Sequence, residues 1–248
     1  MNATRGLLLG GALGIALLGL LWAQEEGMLK AYPQSATTAT STVQETVPTT
    51  HPDAVKPARK SVMSTLFWVG EAADASNENI PNDGSFWDQD WQKHYGGVDD
   101  PNCRTAFNPC GFTPKENPFY VALPYADFTE SGKLQENVSI VPWYRGALAD
   151  KQSAVKNHWV EVTHAGHTCY AQWEDAGPFV YDDVAYVFGN SHPQNTKNNG
   201  AGLDLSPAMW SCLNMTDNDY TSWRFVGNSE VPDGPWRAVI TTRGINWY

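Results

Sequence analysis

The sequence is poor in cations: 16 Lys and Arg stand against 27 Asp and Glu, for a formal net charge of -11. That balance argues against nucleic acid or an anionic membrane surface as the partner of the folded part. Cysteine is scarce, four in 248 residues, and no Cys-x-x-Cys occurs. The histidines near the cysteines lack ligand spacing, so neither a metal nor another cofactor is expected. Few stretches carry helical periodicity, and no internal repeat is evident. What the chain does hold is 21 Gly, 16 Pro and 11 Trp, which favours an all-β fold of many short strands joined by turns.

The chain divides into three parts. Arg5 precedes a run from Gly6 to Trp22 with no charged residue, and Glu25 and Glu26 follow. Residues 1–31 therefore read as an N-terminal signal anchor or signal peptide, with the basic side inside and the rest exported. Leu21 is too large for a small-x-small cleavage pattern ending at Ala23, which favours the uncleaved anchor. Residues 32–60 hold Thr, Ser and Pro with almost no large apolar side chains. They cannot offset their ordering entropy by burial and read as an extended, disordered linker. Residues 61–248 form the folded domain, long enough to bury a core. Cys103, Cys110, Cys169 and Cys212 suggest two disulfides in an exported chain, with three connectivities open and sequential closure the simplest. Asn137-Val-Ser and Asn214-Met-Thr match glycosylation sequons, so a eukaryotic secreted origin stays open.

Within the domain, Thr65 to Gly70 reads as a first strand. Trp87, Trp91 and Tyr95 fall at i, i+4, i+8, one face of a short helix packed on the sheet. Asn117 to Tyr125 reads as a strand ending at Pro124, Trp159 to Trp173 as a hairpin turning at Gly166, and Ala238 to Thr242 as a last strand. The centre of the domain runs from Cys169 to Leu213. There a strand ends in the acidic turn Glu174-Asp175-Ala-Gly-Pro-Phe. After a polar loop, Gly-Leu-Asp204-Leu opens a helix with Ser206 as cap and Pro207 at its first position. Asp175 and Asp204 thus sit where a sheet stops and the backbone turns, and both are expected to face one groove. Sugar rings present apolar C–H faces on which aromatics stack. Trp68, Trp173 and Tyr125 are the aromatic candidates for that groove, with Glu71 close by.

These residues carry a resemblance. Glu174-Asp175-Ala-Gly-Pro-Phe resembles the Asn-Asp-Arg-Gly-Pro-Phe turn of the rare lipoprotein A-like lytic transglycosylases. Leu203-Asp204-Leu-Ser-Pro-Ala is similar to their Ile-Asp-Leu-Ser-x-Ala segment, and to the His-Phe-Asp motif of family 45 glycoside hydrolases and its expansin counterpart. Thr65-Leu-Phe-Trp resembles the first expansin strand, and Phe119 to Pro124 a strand of the same group. The resemblance implies a six-stranded double-psi β-barrel with long loop insertions and one or two short helices. It also implies Asp204 as catalytic acid/base, with Asp175 as its helper. The first-strand Asp that serves as base in family 45 falls near Val69 here. A lytic transglycosylase needs no such base, because the sugar's own hydroxyl attacks. The resemblance therefore points to a single-acid enzyme acting on cell-wall polysaccharide, peptidoglycan in first place. An expansin-like module that binds without cleaving, and a purely structural exported domain, are the other readings.

Overall fold

The computed structural model describes residues 59–75 and 77–247. The expected signal segment 1–31 lies outside the described residues, as does the expected linker as far as residue 58. Strand β1 (Arg59–Leu66) starts two residues before the expected domain boundary and ends at Leu66, so of the strand expected from Thr65 to Gly70 only its first two residues are in it. Then come α1 (Trp91–Tyr95), a small ribbon of β2 (Arg104–Thr105) and β3 (Asn108–Pro109), and β4 (Tyr120–Leu123). The hairpin of β5 (Trp159–His164) and β6 (His167–Ala176) comes next, then α2 (Val184–Val187), β7 (Leu203–Leu205), α3 (Pro207–Cys212) and β8 (Asp219–Val226). Among the described residues the domain is mostly strand, with three short α-helices rather than one or two, and two 3-10 turns besides. Among the described residues no helix is long and apolar enough to cross a membrane.

Six strands close into a barrel in the order β1-β7-β4-β6-β5-β8. The pairs β1·β7 and β4·β6 are parallel, and the other four are antiparallel. Exchanging β1, β4 and β5 for β6, β7 and β8 maps this pairing list onto itself, parallel pairs onto parallel pairs. The topology has a two-fold that no repeat in the sequence announces.

Alternation along the strands sorts the side chains. Val121 and Leu123 of β4 and Leu203 and Leu205 of β7 point into the barrel and join the main core with Val160, Ala171 and Trp223. Tyr120 and Ala122 point outward. They form a second cluster with Phe67, Val69, Trp91 and Tyr95. Helix α1 therefore packs as the spacing predicts: Trp91 and Tyr95 meet Tyr120 edge-on, at 5.1 and 6.0 Å between centroids. Trp87 precedes the helix and is buried in the main core.

Ala238 to Thr242 is not a strand. Side-chain amides take the place of a ladder there: Thr241 N–H donates to Gln172 Oε1 at 2.8 Å, and Thr241 O accepts from Gln172 Nε2 at 2.9 Å. Both disulfides close sequentially. Cys103–Cys110 staples the β2-β3 ribbon, and Cys169–Cys212 ties β6 to α3. The shorter loop has a sequence separation of 7. The double variant Cys103→Ser/Cys110→Ser is expected to lose about 2.5 kcal/mol by loop-closure entropy, read by urea denaturation.

Candidate active site

Strand register brings the two acids together. Thr65 pairs with Asp204, Asp204 with Ala122, and Ala122 with Asp175. The four residues form one row across β1, β7, β4 and β6, on the outer face of the barrel. Two strand spacings separate the acids, roughly 9–10 Å between Cα atoms, and the small, buried Ala122 lies between them. The row straddles the topological two-fold, which relates Thr65 to Asp175 and Asp204 to Ala122.

A bulge aims Asp175. Val121 pairs with Trp173 but Ala122 pairs with Asp175, so Glu174 is an extra residue on β6. Such a bulge shifts the phase of the strand and re-aims the side chains beyond it. Trp173, two residues before Asp175, therefore points into the core instead of sharing its groove. It is fully buried and packs on Phe225. Its indole N–H donates to the backbone carbonyl of Asp175 at 2.8 Å, so it supports the acid from behind. Tyr125 is also fully buried, against Phe188, with its hydroxyl bonded to Asn137 at 3.2 Å. Neither residue lines the groove, contrary to the expectation from aromatic content.

The groove is a cavity of about 310 Å³ lined by Asp175, Asp204, Glu71 and Trp68 together, so four of the six residues expected there meet. Thr65, Asn82, Phe179 and Tyr181 also line it. Phe179 and Tyr181 belong to the turn that carries Asp175, so chain proximity pointed to them. Thr65 and Asn82 needed the tertiary structure.

The carboxyls differ in their partners. Asp175 Oδ1 accepts from Phe86 N–H at 2.7 Å and from Ala176 N–H at 2.8 Å. Burial outweighs these bonds and pushes its pKa up to about 7. Asp204 accepts from the Thr65 hydroxyl. It does not cap the following helix, because Ser206 takes that role by accepting from Met209 N–H at 3.2 Å. Asp204 keeps some surface in the cavity, but protein surrounds its other sides. That burial, and then the negative charges of Asp175 and Glu71, push its pKa up to about 7. Glu71 Oε2 accepts from Asn82 Nδ2 at 2.7 Å, and burial raises its pKa too. Closely placed acids of this kind share their protons as a set. Among the described residues no group of three or more His, Cys, Asp or Glu is placed to hold a metal ion.

These raised values bear on stability. Unfolded, both Asp carboxyls ionise near pH 4; folded, they hold their protons up to about pH 7. Between those values the native state binds more protons, so stability falls as pH rises from about 4 to 7. Water in the cavity screens Asp204, which leaves an effect on the order of 2 kcal/mol. His158 acts the other way. Burial lowers its pKa to about 4, so its contribution is lost as pH falls from about 6.5 to 4. The variant Asp204→Asn is expected to melt higher than the parent at pH 8 and to match it at pH 4, in calorimetric scans.

The chain matches no known protein family and no curated protein. Its chemistry is therefore read from the site.

Proposed function

We propose that this is an exported polysaccharide-active enzyme of the lytic transglycosylase type, built on a double-psi β-barrel and resembling the rare lipoprotein A-like group. The two-fold pairing of the six strands, with two parallel pairs about an antiparallel centre, supports the double-psi assignment. The two disulfides favour an oxidising compartment. The observation that carries the activity is that Asp175, Asp204 and Thr65, set in one row with Ala122, line one cavity.

A carboxyl with a pKa about 7 still holds a proton near neutral pH, as a general acid must. Asp204 protonates the glycosidic oxygen and the leaving sugar departs. The 6-hydroxyl of the retained sugar then closes on its own C1 and returns its proton to Asp204. The product is a 1,6-anhydro end, and the carboxyl is restored. Asp175 keeps the pKa of Asp204 high and orients the strand. Glu71 favours a second reading. It supplies the additional carboxylate that hydrolysis needs to activate water.

The test is incubation of the full-length protein with peptide-stripped peptidoglycan and with other wall glycans, with mass spectrometry of the ends. Anhydro ends support transglycosylation. Ends heavier by one water support hydrolysis through Glu71. Glycan bound but left uncut makes the protein an expansin-like binding module, and neither cutting nor binding overturns the polysaccharide reading.

A further inference from the structure

A second cavity of about 740 Å³ lies beside the acid cavity, and the two share Phe179 and Tyr181. Each falls in the size range of ligand sites. Phe86 and Phe128 complete the aromatic part of the second wall, and all four rings are half-buried. They are also held in place: Phe86 meets Tyr181 at 5.6 Å, and Trp247 backs Phe128 at 5.1 Å. Gln135 and Gln194 add amides for sugar hydroxyls.

The charge pattern is one-sided. Among the described residues no Lys, Arg or His lines either cavity, whereas Glu71, Asp175, Asp204, Glu130 and Asp182 do. The cations nearby are engaged, Lys133 with Glu136 at 3.7 Å. Lys197 sits over Phe179 at 4.9 Å but is paired with Glu78 at 2.6 Å. Lys156, whose charge reaches Asp175, is buried against Glu174. A carboxylate entering this groove meets Glu130 and Asp182 on one wall, finds protonatable acids on the other, and has no lining cation to pair with among the described residues. Sugar hydroxyls, by contrast, donate readily to carboxylates, which accept hydrogen bonds only.

We infer that the two cavities form one groove for an extended glycan strand whose sugars carry no carboxylate, with Phe86, Phe128 and Tyr181 stacking on the sugars beyond the acids. This rests on the glycan reading above and narrows it. Peptide-stripped peptidoglycan bears a free carboxylate on its muramic sugars and is disfavoured.

Titration calorimetry on the full-length protein tests it. The probes are neutral hexamers and trimers of β-1,4-glucose, β-1,3-glucose and β-1,4-N-acetylglucosamine, a galacturonate hexamer, and peptide-stripped peptidoglycan strands. At least one neutral hexamer is expected to bind about tenfold more tightly than its trimer and than both acidic probes. Phe128→Ala is expected to weaken that hexamer about three- to tenfold while sparing the trimer. Gln135→Lys, which adds a cation to the wall, is expected to raise affinity for the galacturonate, an effect that mere loosening of the fold does not produce. An acidic probe bound as tightly as every neutral one overturns this inference and leaves the enzyme reading standing. Equal binding of trimer and hexamer, untouched by Phe128→Ala, overturns the continuous groove. Binding of no probe overturns the glycan reading and this inference together.

Discussion

Asp204→Asn is expected to slow glycan cleavage by about 10²–10⁴-fold, the usual share of a general acid, while leaving glycan binding in place. The amide has the shape of the carboxyl and can still accept from Thr65, so the row of residues should survive the change. It cannot give up a proton to the glycosidic oxygen and take one back. Asp175→Asn provides a graded companion. The negative charge of Asp175 is one of the causes that hold the Asp204 pKa up. Removing it lowers that pKa, so the fall in activity on the alkaline side moves to lower pH. End-group mass spectrometry across a pH series reads both variants. Parental turnover in Asp204→Asn would remove it from the acid role and leave Glu71 or Asp175 to be tested next.

The largest loss of stability is expected at Lys156. Its side chain and that of Glu174 are each only 2% exposed and lie 2.5 Å apart. Burial already pushes the Glu174 pKa up to about 7 in spite of the ammonium. Its other oxygen, Oε1, has no hydrogen-bond partner among the described residues. Lys156→Ala leaves that carboxylate buried and uncompensated, with an expected loss of about 3–5 kcal/mol. The deficit should grow between pH 5 and pH 8, because protonation relieves a lone buried acid and ionisation aggravates it. A double variant, Lys156→Met with Glu174→Leu, is expected to stay close to the parent, since apolar groups of similar volume replace a buried pair with little penalty. Urea denaturation at the two pH values distinguishes these outcomes. If the single variant is as stable as the parent, the charge of Lys156 is not what compensates the buried Glu174.

Much of the site is written in local sequence. Asp175 stands in a Gly-Pro turn, and Asp204 two residues before a Ser-Pro helix start. Both patterns report where a sheet ends, because cap and turn chemistry depends on neighbours in the chain. The β5-β6 hairpin and helix α3 were legible for the same reason, and the two disulfides adopted the simplest pairing. Aromatic content pointed to Trp173 as a groove residue, and a bulge decides otherwise. Residues two apart on a strand share a face, but the extra Glu174 breaks the count between Trp173 and Asp175. A bulge is set by the partner strand, and nothing in the run Gln-Trp-Glu-Asp announces it. Aromatic content pointed to Tyr125 as well, yet Phe188 and Trp173 close over it.

By itself the sequence determined the predominance of strands, the two acids at strand ends, the capped helix and the excess of negative charge. Each of these stems from composition or from residues within a few positions of one another. Only the tertiary structure decided that Asp175 and Asp204 share a row with Ala122 and Thr65, that Glu71 joins them, and that no cation lines the groove among the described residues. The reason is barrel closure. It pairs β1 with β7 and β4 with β6, segments far apart in the chain, and register across such pairs is fixed by which side chains fill the common core.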